Sequence, residues 1–245
     1  MKAESVDQLH LLDLQHVDTV IDQLTHRRRT LPELAEIERL TVDQRRQRDD
    51  VVRAETEVSD LTREQRKLES DVDQVRSRAE RDRQRMAVST SGKEAESLQH
   101  EVVSLARRQS DLEDQVLELM EQLEGAATRL AEAAGGLATS ETAYDTAVAG
   151  RDGQFQLIDA DLAAQQQARA TAAGELPAAL LAHYEAIRAS SRGTGAARLY
   201  RRRCEGCHLE LSGGDLQRVR SAPADEVLHC EECGRILVRT AESAL

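Results

Sequence analysis

Stepping alternately by three and four residues from Val51 reaches Ala54, Val58, Leu61, Gln65, Leu68, Val72, Val75, Ala79, Asp82 and Met86, and only Gln65 and Asp82 are polar. A seam of that period runs along one side of a helix and has to be covered by another helix. A second seam begins at Ala95 and continues through Leu98, Val102, Leu105, Leu112, Val116, Leu119, Leu123, Ala126, Leu130, Leu137 and Tyr144 to Ala147, broken only by Gln109 and Ser140. Between the seams, Val88-Ser89-Thr90-Ser91-Gly92-Lys93 favours a turn near 88–93, with Ser91 placed to cap the next helix and Glu94 to complete a capping box. The expected fold is mostly α: a long antiparallel coiled-coil hairpin. A short loop holds the intrachain partner at high effective concentration, which favours the hairpin over two helices pairing with other chains.

Pro32 interrupts the first arm, and Thr30-Leu31-Pro32-Glu33 reads as an N-cap followed by an acid, so a helix restarts there. At the corresponding height of the second arm the seam slips by one residue near Val148, and Gly150 and Gly153 follow. These features predict one articulation, at 30–32 and 148–153, where a four-residue stutter unwinds the supercoil. Below it the first helix is apolar on a broad face, from Val6 to Leu24, and is expected to touch two neighbours. One is the end of the second arm through Leu157, Ile158 and Leu162. The other is a short helix after Pro177 that carries Leu180, Leu181, Tyr184 and Ile187 on one side. Ser190 to Gly195 reads as a linker, which divides the chain into a hairpin (1–175), a short helix (176–191) and a last domain (192–245).

That last domain holds all four cysteines. Cys204-Glu205-Gly206-Cys207 and Cys230-Glu231-Glu232-Cys233 are two CxxC turns separated by 22 residues. Each turn aims two thiolates at one point, and two turns close a tetrahedral four-sulfur site of the kind structural Zn(2+) prefers, held by Cys204, Cys207, Cys230 and Cys233. Iron in a rubredoxin-like site and a redox dithiol are the alternatives; few aromatics near the cysteines disfavour iron. His208 and His229 adjoin ligands but are expected at the surface or donating to acceptors around the site. Leu209, Leu211 and Ile236-Leu237-Val238 read as short strands of a small C-terminal β zinc ribbon with too few apolar residues to fold without metal.

Lys93-Glu94, Leu98-Gln99-His100-Glu101, Asp111-Leu112-Glu113-Asp114, Leu119-Met120-Glu121, the helix around Tyr184 and the terminal Cys230-Glu231-Glu232-Cys233-Gly234-Arg235-Ile236-Leu237 resemble the bacterial coiled-coil and C4-type zinc-ribbon family. The resemblance covers almost the whole chain. It implies a non-enzymatic adaptor, nucleic-acid-binding in some members, with links to RNA, an alternative sigma factor or flagellar-type export components. The zinc ligands it implies are the same four cysteines.

Composition supports a non-enzymatic reading. With no Trp, one Phe and three Tyr in 245 residues, a large packed catalytic core is disfavoured, and no Gly-rich phosphate loop or nucleophile elbow is present. The N-terminus has no apolar signal stretch and no apolar run nears the ~18 residues of a spanning helix, so a cytoplasmic chain without membrane attachment is expected. A net charge of −12 repels polyanions overall, so any nucleic-acid site has to be local. One segment qualifies: Arg188, Arg192, Arg198, Arg201, Arg202 and Arg203, with Tyr200 among them and no acid between Glu185 and Glu205. Arg suits phosphates and Tyr200 suits base stacking, in RNA or DNA. Arg218, Arg220, Arg235 and Arg239 extend the patch if the ribbon gathers them on one side. The leading expectation is a regulatory adaptor whose ribbon binds nucleic acid while the coiled coil engages a protein. The alternative is a protein-only adaptor or chaperone-like scaffold. Monomer and weak homodimer are both compatible with the seams.

Overall fold

The computed structural model describes residues 1–245. Four helices, α1 (Ser5–Arg29), α2 (Pro32–Val88), α3 (Gly92–Gly174) and α4 (Ala178–Ser190), precede a small sheet of β1 (Ala196–Tyr200), β2 (Arg203–Cys204), β3 (Leu228–His229) and β4 (Ile236–Val238), with helix α5 (Gly213–Ser221) between β2 and β3. The chain forms two compact units: Ala35–Val148, and Met1–Leu34 together with Ala149–Leu245. This division differs from the expected boundaries at 175 and 192, because the base helices and the ribbon share one core.

The first unit is the antiparallel coiled-coil hairpin. Val72, Val75, Ala79, Leu105 and Leu112 form its core, flanked by Leu68 and Val116, and every one is a seam position. Ion pairs cross between the helices, from Arg78 to Glu101 (2.6 Å), Arg76 to Glu113 (2.6 Å), Glu57 to Arg129 (2.7 Å) and Arg48 to Glu141 (3.2 Å). Gln65 and Gln109 have local partners, whereas the buried Ser140 hydroxyl has none. Gln65 donates to Glu69 and Gln109 to Glu113, each one turn on in its own helix, while buried Gln44 donates across to the Ser140 carbonyl at 3.2 Å. At the turn the expected capping box of Ser91 and Glu94 does not form: Glu94 accepts from the Ser89 hydroxyl (3.0 Å), which also accepts the Ser91 amide (3.3 Å).

The second unit is built around α1. Leu11 and Leu14 pack with Leu176, Leu180 and Tyr184 of the α4 region and with Ala196, Val227, Ile236 and Val238 of the ribbon. Thr30 ends α1 instead of starting α2: its hydroxyl donates to the His26 carbonyl and its amide to the carbonyls of His26 and Arg27. Pro32 opens α2, where a missing N–H costs nothing. α3 runs unbroken through Gly150 and Gly153. Ile158 is buried as expected, whereas Leu157 is exposed.

The expected linker at 190–195 is a packed turn. Gly193 has φ +88°, and a Cβ on Gly195 would sit 2.7 Å from the Tyr184 ring, so both positions need glycine. The sheet order is β2-β1-β4-β3, with β1 and β4 parallel and the outer pairs antiparallel. Leu209 and Leu211 lie outside the strands, and Leu209 is exposed. No helix is long and apolar enough to cross a membrane.

Candidate metal centre and basic turn

The two CxxC turns sit at the ends of paired strands. Cys204 ends β2, and Cys230 directly follows β3. Within each turn a backbone bond closes the loop: His208 N–H donates to the Cys204 carbonyl and Gly234 N–H to the Cys230 carbonyl, both at 2.8 Å. Gly234 takes φ +72°, a left-handed conformation that glycine adopts without strain. Gly206 is required for another reason, since a Cβ there would come within 2.6 Å of the Arg235 side chain.

This frame brings the four sulfurs within 4.8 Å of one another. Sγ of Cys204 lies 3.9 Å from that of Cys233, and Sγ of Cys207 3.8 Å from that of Cys230. A tetrahedral zinc with bonds of about 2.3 Å needs sulfur–sulfur edges of about 3.8 Å, so the donor set fits the ion in number, softness and spacing. Burial pushes the Cys204 thiol well up, and the Cys230 thiol is raised for the same first reason. Burial acts upward on Cys233 too, but hydrogen bonds from the Arg235 backbone and side chain, with those of Cys230 and Cys207, outweigh it and hold that thiol at about 7. Zinc replaces all four protons, which makes the bound metal and the folded ribbon interdependent. With four thiolates the ion has no open position, so its role is structural.

Against these ligands the flanking histidines differ. His208 is exposed in a left-handed conformation. His229 is half-buried, and its Nε2 meets Nε2 of His183 on α4 at 2.8 Å, the rings standing edge to face. Burial, followed by the neighbouring His183, lowers its pKa.

Residues 14–192 match the CT398-like coiled coil hairpin domain, and residues 203–237 match the C4-type zinc ribbon domain. The chain belongs to the CT398-like coiled-coil hairpin family. An uncharacterized protein of Mycobacterium tuberculosis is 33% identical over 258 residues, covering 98% of each chain. A solved structure from Mycobacterium smegmatis shares 33% identity and a TM-score of 0.86, over 98% of this chain and all of that one. The 2.12 Å structure of CT398 from Chlamydia trachomatis shares the fold, with a TM-score of 0.69 at 19% identity over 96% of this chain and 98% of that one. As in the ribbon half of the family, the cofactor is one structural zinc.

The basic run beside the ribbon is not uniform. Arg188 lies on α4 with Nε 3.2 Å from Asp18 and a terminal nitrogen 3.0 Å from Asp22. Arg198 bonds Glu205 at 3.0 Å and Glu242 at 2.7 Å. Both pair with carboxylates of the same fold. Arg235 and Arg239 are likewise occupied: Arg235 donates to the Ser191 and Thr194 carbonyls, and Arg239 to those of Val219, Ala222, Pro223 and Ala224. Arg218 pairs with Glu231.

Arg201, Arg202 and Arg203 remain exposed, as does Arg192. β1 and β2 pair through Tyr200 and Arg203, which leaves Arg201 and Arg202 as a two-residue hairpin loop with φ of 44° and 67°. That loop type favours Asn-Gly, and two arginines in it are strained. The strain is offset from outside: the C-terminal segment takes the Arg201 amide on the Glu242 carbonyl (3.0 Å) and the Arg202 amide on the Ser243 carbonyl (3.2 Å). Ser243, buried, in turn donates to the Leu199 carbonyl at 2.8 Å. The Arg201 guanidinium stands 5.3 Å over the Tyr200 ring, so that ring face is already covered. Arg202 has only a distant carboxylate, Glu210 at 3.9 Å. The sequence reading missed this turn and its C-terminal support; the one available signal was the Tyr-Arg-Arg-Arg run itself.

Proposed function

We propose that this protein is a non-enzymatic, cytoplasmic regulatory adaptor whose zinc ribbon contacts RNA or DNA through the turn at Arg201, Arg202 and Arg203, while the coiled-coil hairpin engages a protein. One observation carries the reading. Around the ribbon Arg188, Arg198, Arg218, Arg235 and Arg239 are held by carboxylates or carbonyls, whereas Arg201 and Arg202 stand exposed in a strained left-handed loop, Arg201 without a carboxylate partner and Arg202 with only Glu210 at 3.9 Å. Strained backbone that the surroundings maintain is common where a loop has a binding role. The turn contacts phosphate; with Tyr200 under Arg201, base stacking takes second place and sequence preference is low. Arg192 is a peripheral contact. A closed four-thiolate zinc supplies scaffold and no chemistry, in keeping with a binding role.

The test is binding of the zinc-loaded chain to fluorescent single-stranded RNA and duplex DNA at two salt concentrations, beside a variant with Arg201, Arg202 and Arg203 all changed to Ala. The expected result is micromolar affinity that falls steeply with salt, by roughly one charge's worth of salt slope for each phosphate contact removed. An affinity indifferent to the triple change, or none at all, would leave the protein-only adaptor as the reading.

A further inference from the structure

The seam of α3 is covered by α2, but a different side of α3 is not. Val103, Leu117 and Met120 are 48%, 59% and 43% exposed. Val103 and Leu117 stand fourteen residues apart, four helical turns, and so share a side, with Met120 one turn beyond Leu117. Beside Leu117 a groove runs between the two helices of the hairpin, with Val72 and Val116 as its apolar lining and Glu69, Asp73 and Glu113 as its acidic rim. Its one cation, Arg76, is held by Glu113 at 2.6 Å.

Past Arg108 the charge along this side is one-signed. No Lys or Arg occurs in α3 between Arg108 and Arg129, whereas Asp111, Glu113, Asp114, Glu118, Glu121 and Glu124 all do. Of these six, only Glu113 has an ion-pair partner. Other coiled-coil acids, among them Glu36, Asp43, Asp50 and Asp60, are tied to arginines of their own helix.

We infer that this side of α3, around Leu117 and Met120 and from Asp111 to Glu124, docks an amphipathic helix of a protein partner that carries Leu-type residues on one face and Lys or Arg along its flanks. Apolar anchors set one turn apart match the spacing of a helix lying along a groove. The free carboxylates match basic flanks and would steer them in. A second copy of the chain brings the same surplus of acids and is repelled, and so are nucleic acid and anionic lipid. The inference rests on the reading that the coiled coil engages a protein. It uses none of the ribbon residues, so the two fail separately.

The experiment uses the full zinc-loaded chain and a fluorescein-labelled peptide of about 18 residues, five helical turns, with Leu and Lys at amphipathic spacing. A peptide of the same composition in scrambled order is the comparison. The expected result is binding at least about tenfold tighter than the scramble. Leu117→Asp with Met120→Asp should remove at least about tenfold of the affinity. Glu118→Gln, Glu121→Gln and Glu124→Gln together should flatten its salt dependence. All five side chains are exposed, so each variant should keep the parent's helicity. The triple Arg-to-Ala variant of the ribbon should bind the peptide unchanged. Equal binding of both peptides, or undiminished binding by the Leu117 and Met120 variant, overturns the inference. So does a dimer in sedimentation that this variant abolishes, which would give the face to a second copy.

Discussion

At the scale of single residues, what matters is whether a charge has a partner, and the partner is usually far away in sequence. Asp18 on α1 is 1% exposed, and it accepts from Arg169 Nε on α3 at 2.6 Å and from the Tyr184 hydroxyl on α4 at 2.7 Å; the Arg188 guanidinium lies within ion-pair distance at 3.2 Å. The same hydroxyl also donates to Gln15 Oε1, which accepts the Gly195 amide at 2.6 Å, so one buried cluster ties α1, α3, α4 and the start of β1. Burial, and then the adjacent Asp18, push the Tyr184 hydroxyl far above its ordinary pKa, so it is a permanent donor. Removing one member of a buried ionic cluster leaves the others uncompensated, which typically costs about 3 kcal/mol or more. Asp18→Ala is therefore expected to destabilise the base by about that amount in urea unfolding followed by circular dichroism, and Tyr184→Phe by about 1 kcal/mol. Equal stability of Asp18→Ala and the parent would mean that the cluster is solvated after all. None of this was legible in the sequence. The cysteines were, because a CxxC spacing specifies a short-range turn. Arg188 and Arg198 looked like Arg201 because Asp18, Asp22 and Glu242 reach them only through the fold, although Glu205, the other partner of Arg198, lies seven residues on.

At the scale of elements, the long helices were readable because a heptad seam repeats one physical requirement many times. The elements that were missed are short and are specified by single residues. α5 is announced only by Ser212, whose hydroxyl accepts the Asp215 amide as an N-cap. β1 lies between the expected linker and the first cysteine pair, in the Arg-rich segment; its partner β4 is far along the chain, and the two pair in parallel. That pairing changes what zinc does. Ala196, Ile236 and Val238 belong to the core with Leu11 and Leu14 of α1, while Leu199, Cys204, Val219, Leu228 and Cys230 form a separate cluster around the metal. The sequence implied a ribbon that does not fold without zinc. The fold implies a narrower loss: chelation should abolish hydrogen-exchange protection at Cys204, Val219 and Cys230 while leaving Ile236 and Val238, held by the α1 core, protected. Exchange of β4 at the same rate as α5 after chelation would show that the metal supports both clusters.

For the molecule as a whole, the arrangement of cores matters more than their size. The coiled-coil core of Val72, Val75, Ala79, Leu105 and Leu112 contains no residue from either chain end, and the cores around α1 and the cysteines contain none from Ala35 to Val148. The hairpin unit is one continuous stretch closed by a short turn, whereas the other unit is assembled from the first 34 residues and the last 97. Local closure is entropically cheap and pairing across such a separation is not, so the hairpin should form first and stand without the rest. Two separate cores also mean two separable equilibria, which departs from the all-or-none unfolding of a small single domain. Calorimetry of the full chain is expected to resolve two transitions. Removing zinc with a chelator should lower one of them and leave the other in place. Leu112→Ala, which deletes a buried seam side chain at a cost of about 2–5 kcal/mol, should lower the transition that the chelator spares. A single transition displaced by both treatments would mean that the continuous helices α2 and α3 transmit unfolding between the units, and that the ribbon's metal reports on the stability of the coiled coil.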